Sequence, residues 1–86
     1  MPLVRLHAPL RQLAGGVAEH DLRATTVLAL LRELEQEHPA LTGWVVDERG
    51  LIRRHINVFV NGERARENTA VATNDRVEIL AAITGG

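Results

Sequence analysis

The sequence ends in Gly85-Gly86 directly after an alternating apolar segment, and no other residues in it are so plainly suited to chemistry. With glycine at about 7% of residues, two closing glycines arise by chance in roughly 0.5% of chains. Glycine lacks Cβ and permits close backbone approach, so a two-glycine tail can thread a narrow channel that any side chain would block. Such a tail suits a terminal carboxylate delivered into another protein's active site. A merely frayed terminus is the competing reading.

Other candidate groups point elsewhere. His7, His20, His38 and His55 are far apart in sequence, lie on different predicted elements, and none is four residues from another on a helix. The spacing signature of a metal site is missing, so no metal is expected and the histidines read as solvated or edge residues. Glu33, Glu35 and Glu37 fall on the helix face opposite its apolar stripe, where carboxylates are normally solvated. Gly15-Gly16 has no following Gly-Lys-Ser/Thr and reads as a hairpin turn, not a phosphate cradle. With no cysteine, disulfides, thiolate metal sites and a cysteine nucleophile are excluded.

The elements that must position the tail follow from periodicity. Val4 and Leu6 alternate with Arg5 and His7, predicting a first strand. Residues 9–16 read as a turn anchored by Leu10 and Leu13, and residues 17–22 as a second strand pairing back on the first. Val27, Leu30, Leu31 and Leu34 then fall at i, i+3, i+4 and i+7, predicting a helix over roughly residues 26 to 37, capped by Thr25 or Thr26 and ended before Pro39. Leu41, Trp44 and Val45 repeat the helical spacing for about a turn, and Asp47-Glu48-Arg49-Gly50 reads as a turn. Ile56, Val58 and Val60 alternate with Asn57 and Phe59, and Asn61-Gly62 signals a type I′ hairpin to a short strand near Arg64. After a turn at Thr73-Asn74-Asp75, Val77, Ile79 and Ala81 alternate with Glu78, Leu80 and Ala82. One amphipathic helix needs one sheet face to cover, which predicts an α+β fold of the ubiquitin-like β-grasp type: a mixed sheet crossed by one main helix. Val4, Leu6, Leu30, Leu34, Val58, Val60, Val77 and Ile79 are the expected core.

Length and charge narrow the function further. At 86 residues the chain reads as a single β-grasp domain with a flexible Gly-Gly tail. A domain this size buries about 60–65% of its unfolded surface and leaves little room for a deep catalytic cavity, so no enzyme activity of its own is expected. The 10 basic and 11 acidic residues give a net charge of −1 and are scattered along the sequence, without the basic stripe that nucleic acid requires. All ten basic residues are arginine, so the chain offers no lysine amine for acylation. Met1-Pro2-Leu3-Val4-Arg5 lacks a signal-like n-region and no apolar run approaches the ~18–20 residues of a membrane span, so a cytoplasmic protein with no membrane partner is expected.

Four blocks carry a family resemblance: Leu10-Arg11-Gln12-Leu13-Ala14-Gly15, His55-Ile56-Asn57-Val58-Phe59-Val60-Asn61-Gly62-Glu63, Asn74-Asp75-Arg76-Val77 and Ile83-Thr84-Gly85-Gly86. In this order they resemble the MoaD/ThiS family of ubiquitin-like sulfur carriers, and the long segment before the Asn-Val-Phe-Val-Asn strand is most similar to the cysteine-biosynthesis carriers of actinobacteria. The family usually has glycine where Asn74 stands, and asparagine tolerates the left-handed conformation such a turn uses. The resemblance implies that an E1-like adenylyltransferase/sulfurtransferase, using its own ATP and Mg²⁺, adenylylates the Gly86 carboxylate. A sulfur donor then displaces AMP and leaves a thiocarboxylate that is passed to a sulfur-accepting biosynthetic enzyme. The carrier itself binds no cofactor and catalyses nothing.

A two-glycine tail cannot specify a partner, so a docking surface is expected beside it. If Ile56, Val58 and Val60 face the helix, Phe59 faces outward, and the same rule turns out Leu80, Arg5 and His7. These four, with Thr84 and Gly85, are the expected partner-binding residues. Two other readings stay open from sequence: the small subunit of molybdopterin synthase, and a ubiquitin-like interaction module that never acquires sulfur.

Overall fold

The computed structural model describes residues 1–82. Its centre is a parallel pair, β1 (Leu3–Leu6) and β5 (Arg76–Ala81). β2 (Glu19–Asp21) pairs antiparallel with β1, and β3 (Ile56–Val60) pairs antiparallel with β5 and carries the short β4 (Glu63–Arg64). The result is a mixed five-stranded sheet in the order β2-β1-β5-β3-β4. Register aligns two rows of branched side chains across its three central strands, Leu6–Ile79–Val58 and Val4–Val77–Val60, all buried.

Those rows share one core with helix α2 (Val27–Glu37), which contributes Val27, Leu30, Leu31 and Leu34. Burying a side chain of this kind stabilises by about 1.5–3 kcal/mol, so this stripe holds the helix in place more than its intrinsic propensity does. All eight expected core residues are buried. Of the two candidate caps the structure uses Thr26, whose extended backbone lets its hydroxyl oxygen accept the Ala29 N–H at 3.3 Å. Helix α2 closes at His38, and Pro39 opens a 3-10 turn, Pro39–Leu41. Among the described residues no helix is long and apolar enough to cross a membrane.

The Asn61-Gly62 turn takes positive φ at both residues, 52° and 84°, as a type I′ hairpin demands. Asn61 also locks the next turn: its side-chain oxygen accepts Arg76 N–H at 2.9 Å while its amide donates to Asp75 at 2.8 Å. Asp75 in turn accepts Ala72 N–H at 2.7 Å. This backbone bond, followed by the bond from Asn61, holds the Asp75 carboxyl below its ordinary value. Glu67, accepting Ile52 N–H, and Asp47, paired with Arg49, shift the same way. A carboxylate depressed in the folded state contributes stability that is full above its unfolded pKa, about 4 for aspartate, and is lost as pH falls through the folded value. Stability measured by urea denaturation should therefore decline below about pH 4, and Asp75→Ala, less stable at neutral pH, should show a shallower decline.

Several local expectations change. Residues 9–16 are not a plain turn: Leu10–Leu13 forms a short helix, α1, followed by Gly15 and Gly16 at positive φ. Asn74 does not take the left-handed conformation; among described non-glycine residues only Asn61 does, and the Thr73–Asp75 turn is closed by Asp75 instead. Leu41 and Val45 are buried but Trp44 is 48% exposed. Glu33 is not simply solvated, because its carboxylate accepts Arg23 and Ala24 N–H at 2.9–3.1 Å and ties the β2–α2 connection to the helix.

Candidate functional site

β5 carries the chain toward its C-terminus along the middle of the sheet. At its end Ala81 pairs with Ile56, Ala82 N–H donates to the His55 carbonyl, and on the other side His7 N–H donates to the Ile79 carbonyl. The chain therefore leaves the described structure between β1 and β3, flanked by His7 and His55. Thr84, Gly85 and Gly86, which carry the predicted chemistry, lie outside the described residues, as does Ile83.

The sheet face opposite α2 holds the predicted docking residues. Register builds one row across all five strands, Glu19–Arg5–Glu78–Phe59–Arg64. In the adjoining row, nearer the exit of β5, Leu80 stands opposite Asn57. Phe59 and Leu80 are thus diagonal neighbours, a separation that an aromatic ring still spans. Both are half-buried, where sequence alternation gave only their outward direction. The surface is also more mixed than the expected apolar patch, because Glu78 sits between Arg5 and Phe59 and its Oε1 lies 3.2 Å from His7 Nε2. Arg5, His7, Phe59 and Leu80 do share one face. Glu78 and Asn57 belong to it too, and alternation alone had already placed them there; their contacts needed the strand register.

Two groupings were not readable from sequence spacing. Arg49, Arg53, Arg54, Arg64 and Arg66, half of the ten arginines, line a single hollow of about 700 Å³ together with Asp47 and Glu67. The basic residues are therefore not scattered in space. Only Arg49 among them is ion-paired among the described residues, with Asp47 at 2.8 Å. The histidines likewise do not stay apart: His20 is 8% exposed on edge strand β2 and meets His38 at the end of α2, with ring centroids 5.0 Å apart.

The family profile described as "ThiS family" matches residues 4–86. The chain is 31% identical over 83 residues to the sulfur carrier protein CysO of Mycobacterium tuberculosis, covering 90% of this chain and 89% of that protein. It is 34% identical over 84 residues to small archaeal modifier protein 1 of Haloferax volcanii, covering 95% and 97% respectively. Its fold superposes on a chain of the Amycolatopsis orientalis BexX/CysO complex with a TM-score of 0.89 at 29% identity, covering 100% of both chains.

Proposed function

The chain belongs to the ThiS family of ubiquitin-like sulfur carriers, and from that premise we propose that Gly86 is the atom-bearing end of the carrier, activated as an acyl adenylate and converted to a thiocarboxylate. The observation that carries this reading is the reach of the family match, which runs through Gly85-Gly86 to residue 86.

The chemistry balances without any group of the carrier's own. A carboxylate is a poor acyl electrophile, so its oxygen attacks the α-phosphorus of ATP, held with Mg²⁺ by an E1-like partner, and pyrophosphate leaves. Hydrosulfide then displaces AMP at the acyl carbon; where the donor is a partner's persulfide, the acyl disulfide formed is cleaved by a second thiol, which leaves as a disulfide with the donor sulfur and frees the thiocarboxylate. The terminal C–S⁻ group is handed to a biosynthetic enzyme that accepts sulfur, in a cytoplasmic pathway to cysteine or another sulfur-containing metabolite. The complex of CysO with BexX supports an assembly of this kind with a second protein. Incubation with an activating enzyme, ATP, Mg²⁺ and sulfide should give the mass gain of one oxygen exchanged for sulfur, localised to Gly86. A persistently unmodified chain, with an enzyme active on its own carrier, would refute the proposal.

The likeness to a small archaeal modifier protein favours a second reading, in which the same activated Gly86 acylates an amine of another protein. With ten arginines and no lysine, this chain offers no side-chain amine to its own copies, so such conjugates would not grow into chains through it. Gel-shifted adducts in place of the sulfur mass would select this reading.

Docking falls to the open sheet face. Burying a leucine is worth about 1.5–3 kcal/mol, and a buried unpaired charge costs more. Leu80→Asp should therefore weaken binding to the activating enzyme at least tenfold, about 1.4 kcal/mol, by calorimetric titration, while the circular dichroism spectrum is retained. Unchanged affinity of the folded variant would mean that the partner reads another face.

A further inference from the structure

The meeting of β2 with the end of α2 brings three metal-ligating side chains together: His20, Glu37 and His38 each offer a donor atom, and all three atoms lie within 4.8 Å of one another. We propose that they form a binding site for a divalent cation of the zinc type, with two imidazoles, one carboxylate and a fourth position for water.

The ring geometry, that of an edge-to-face contact, is also compatible with a chelate. Two imidazoles on one tetrahedral zinc, at Zn–N distances of about 2.0–2.1 Å, hold their ring centroids roughly 5 Å apart. The observed separation is 5.0 Å, with the ring planes at 75°. Donor atoms around such an ion lie about 3.4 Å apart, so the cluster needs to close by about an ångström or slightly more. The two residues at the helix end can supply that movement, since Glu37 is exposed and His38 half-buried. His20 is the fixed ligand, 8% exposed and anchored through Nε2 to the Val17 carbonyl at 2.9 Å.

That anchor also sets its tautomer. A carbonyl oxygen only accepts, so Nε2 carries the hydrogen and the Nδ1 lone pair is left for a cation. Orientation of a ligating histidine by a backbone carbonyl on its other nitrogen is the usual supporting arrangement in zinc sites. Two nitrogens and one oxygen suit zinc or a neighbouring transition ion, and suit magnesium or calcium poorly, since these prefer all-oxygen shells. An ion here would join an edge strand to the end of the helix crossing the sheet, and would stabilise the folded state because the unfolded chain has no preformed site.

The test is titration of the full chain with Zn²⁺ in competition with a chromophoric chelator, alongside thermal denaturation. One equivalent should bind with micromolar affinity and raise the melting temperature. Glu37→Gln and His38→Gln, both at accessible positions, should each weaken binding at least tenfold and diminish the thermal shift, while His7→Gln and His55→Gln should leave both unchanged. His20→Gln risks the fold, so His20 is followed in the unaltered chain by NMR, where zinc should move the ring resonances of His20 and His38 together and leave those of His7 and His55 in place. The proposal is overturned if Zn²⁺ does not bind, if it binds His38→Gln as tightly as the unaltered chain, or if the perturbed resonances belong to His7 or His55.

Discussion

Removal of Gly86 is expected to abolish thiocarboxylate formation while leaving thermal stability nearly unchanged. Each residue spans at most ~3.3–3.6 Å of extended chain, so a chain ending at Gly85 presents its carboxylate that much short of the nucleotide. Misplacing a reacting group by about 1 Å can already cost 10²-fold in rate, and a shortfall several times larger leaves no productive attack on the α-phosphorus. Extending the chain past Gly86, in the absence of a trimming protease, fails for a different reason: the acyl carbon of Gly86 becomes a peptide amide, and the carboxylate that should attack ATP is gone. Gly85→Ala keeps both length and carboxylate but adds a Cβ where a narrow channel requires none, and should reduce activation severely. Stability should be spared in all three because the core and strand pairings of the described residues, which run to Ala81, are left untouched. Intact-mass measurement after the activation reaction, paired with a melting curve for each variant, checks both halves. A thiocarboxylate on an extended, untrimmed chain would show that the tail has been misassigned.

Much of the scaffold behind that tail could be read from residue order, because each of its main elements carries a signal longer than its own ambiguity. Four apolar residues fall at helical spacing across the first eight residues of α2, and Thr26 and Pro39 bracket the helix. The type I′ turn at Asn61-Gly62 is a two-residue signal that only a few residue types satisfy. By contrast, α1 is four residues long, barely one helical turn, so no periodicity could separate it from a turn. Alternation gave the outward direction of Phe59 and Leu80, but their diagonal placement, and the position of Glu78 between Arg5 and Phe59, depend on register between strands distant in sequence. The same holds for Glu33, whose helical face was readable while the loop folded over it was not. His20 with His38, and the arginines around one hollow, are products of tertiary folding, and sequence separation was a poor guide to both. The proposal for the tail has a different basis: Gly85 and Gly86 lie outside the described residues, and the reading rests on a backbone terminus and two missing side chains, chemistry that calls for no tertiary contact.

The largest expected loss of stability falls at the helix–sheet contact, and it separates folding from sulfur chemistry. Leu30 is fully buried in the middle of α2, in the core that also contains Val4, Val58 and Ile79. Leu30→Ala leaves the helix itself intact, since alanine is the best helix former, and so removes packing alone. Truncations of this kind cost about 2–5 kcal/mol, according to how far the surroundings relax into the cavity. A chain of this size has a total stability of roughly 4–13 kcal/mol, so the loss is a large share of it. In a small domain each kcal/mol is worth about 4–8 °C, which puts the fall in melting temperature at about 8 °C or more. Urea denaturation should show a lower midpoint with an unchanged slope, as expected when stability falls without a change in the surface exposed. Trp44→Ala is the internal control: although tryptophan is the larger side chain, Trp44 is 48% exposed, and its removal should cost much less. Below its lowered transition, Leu30→Ala should still accept sulfur at Gly86, because neither the open sheet face nor the tail contains Leu30. A Leu30→Ala variant as stable as the unaltered chain would mean that α2 does not pack on the sheet through this stripe.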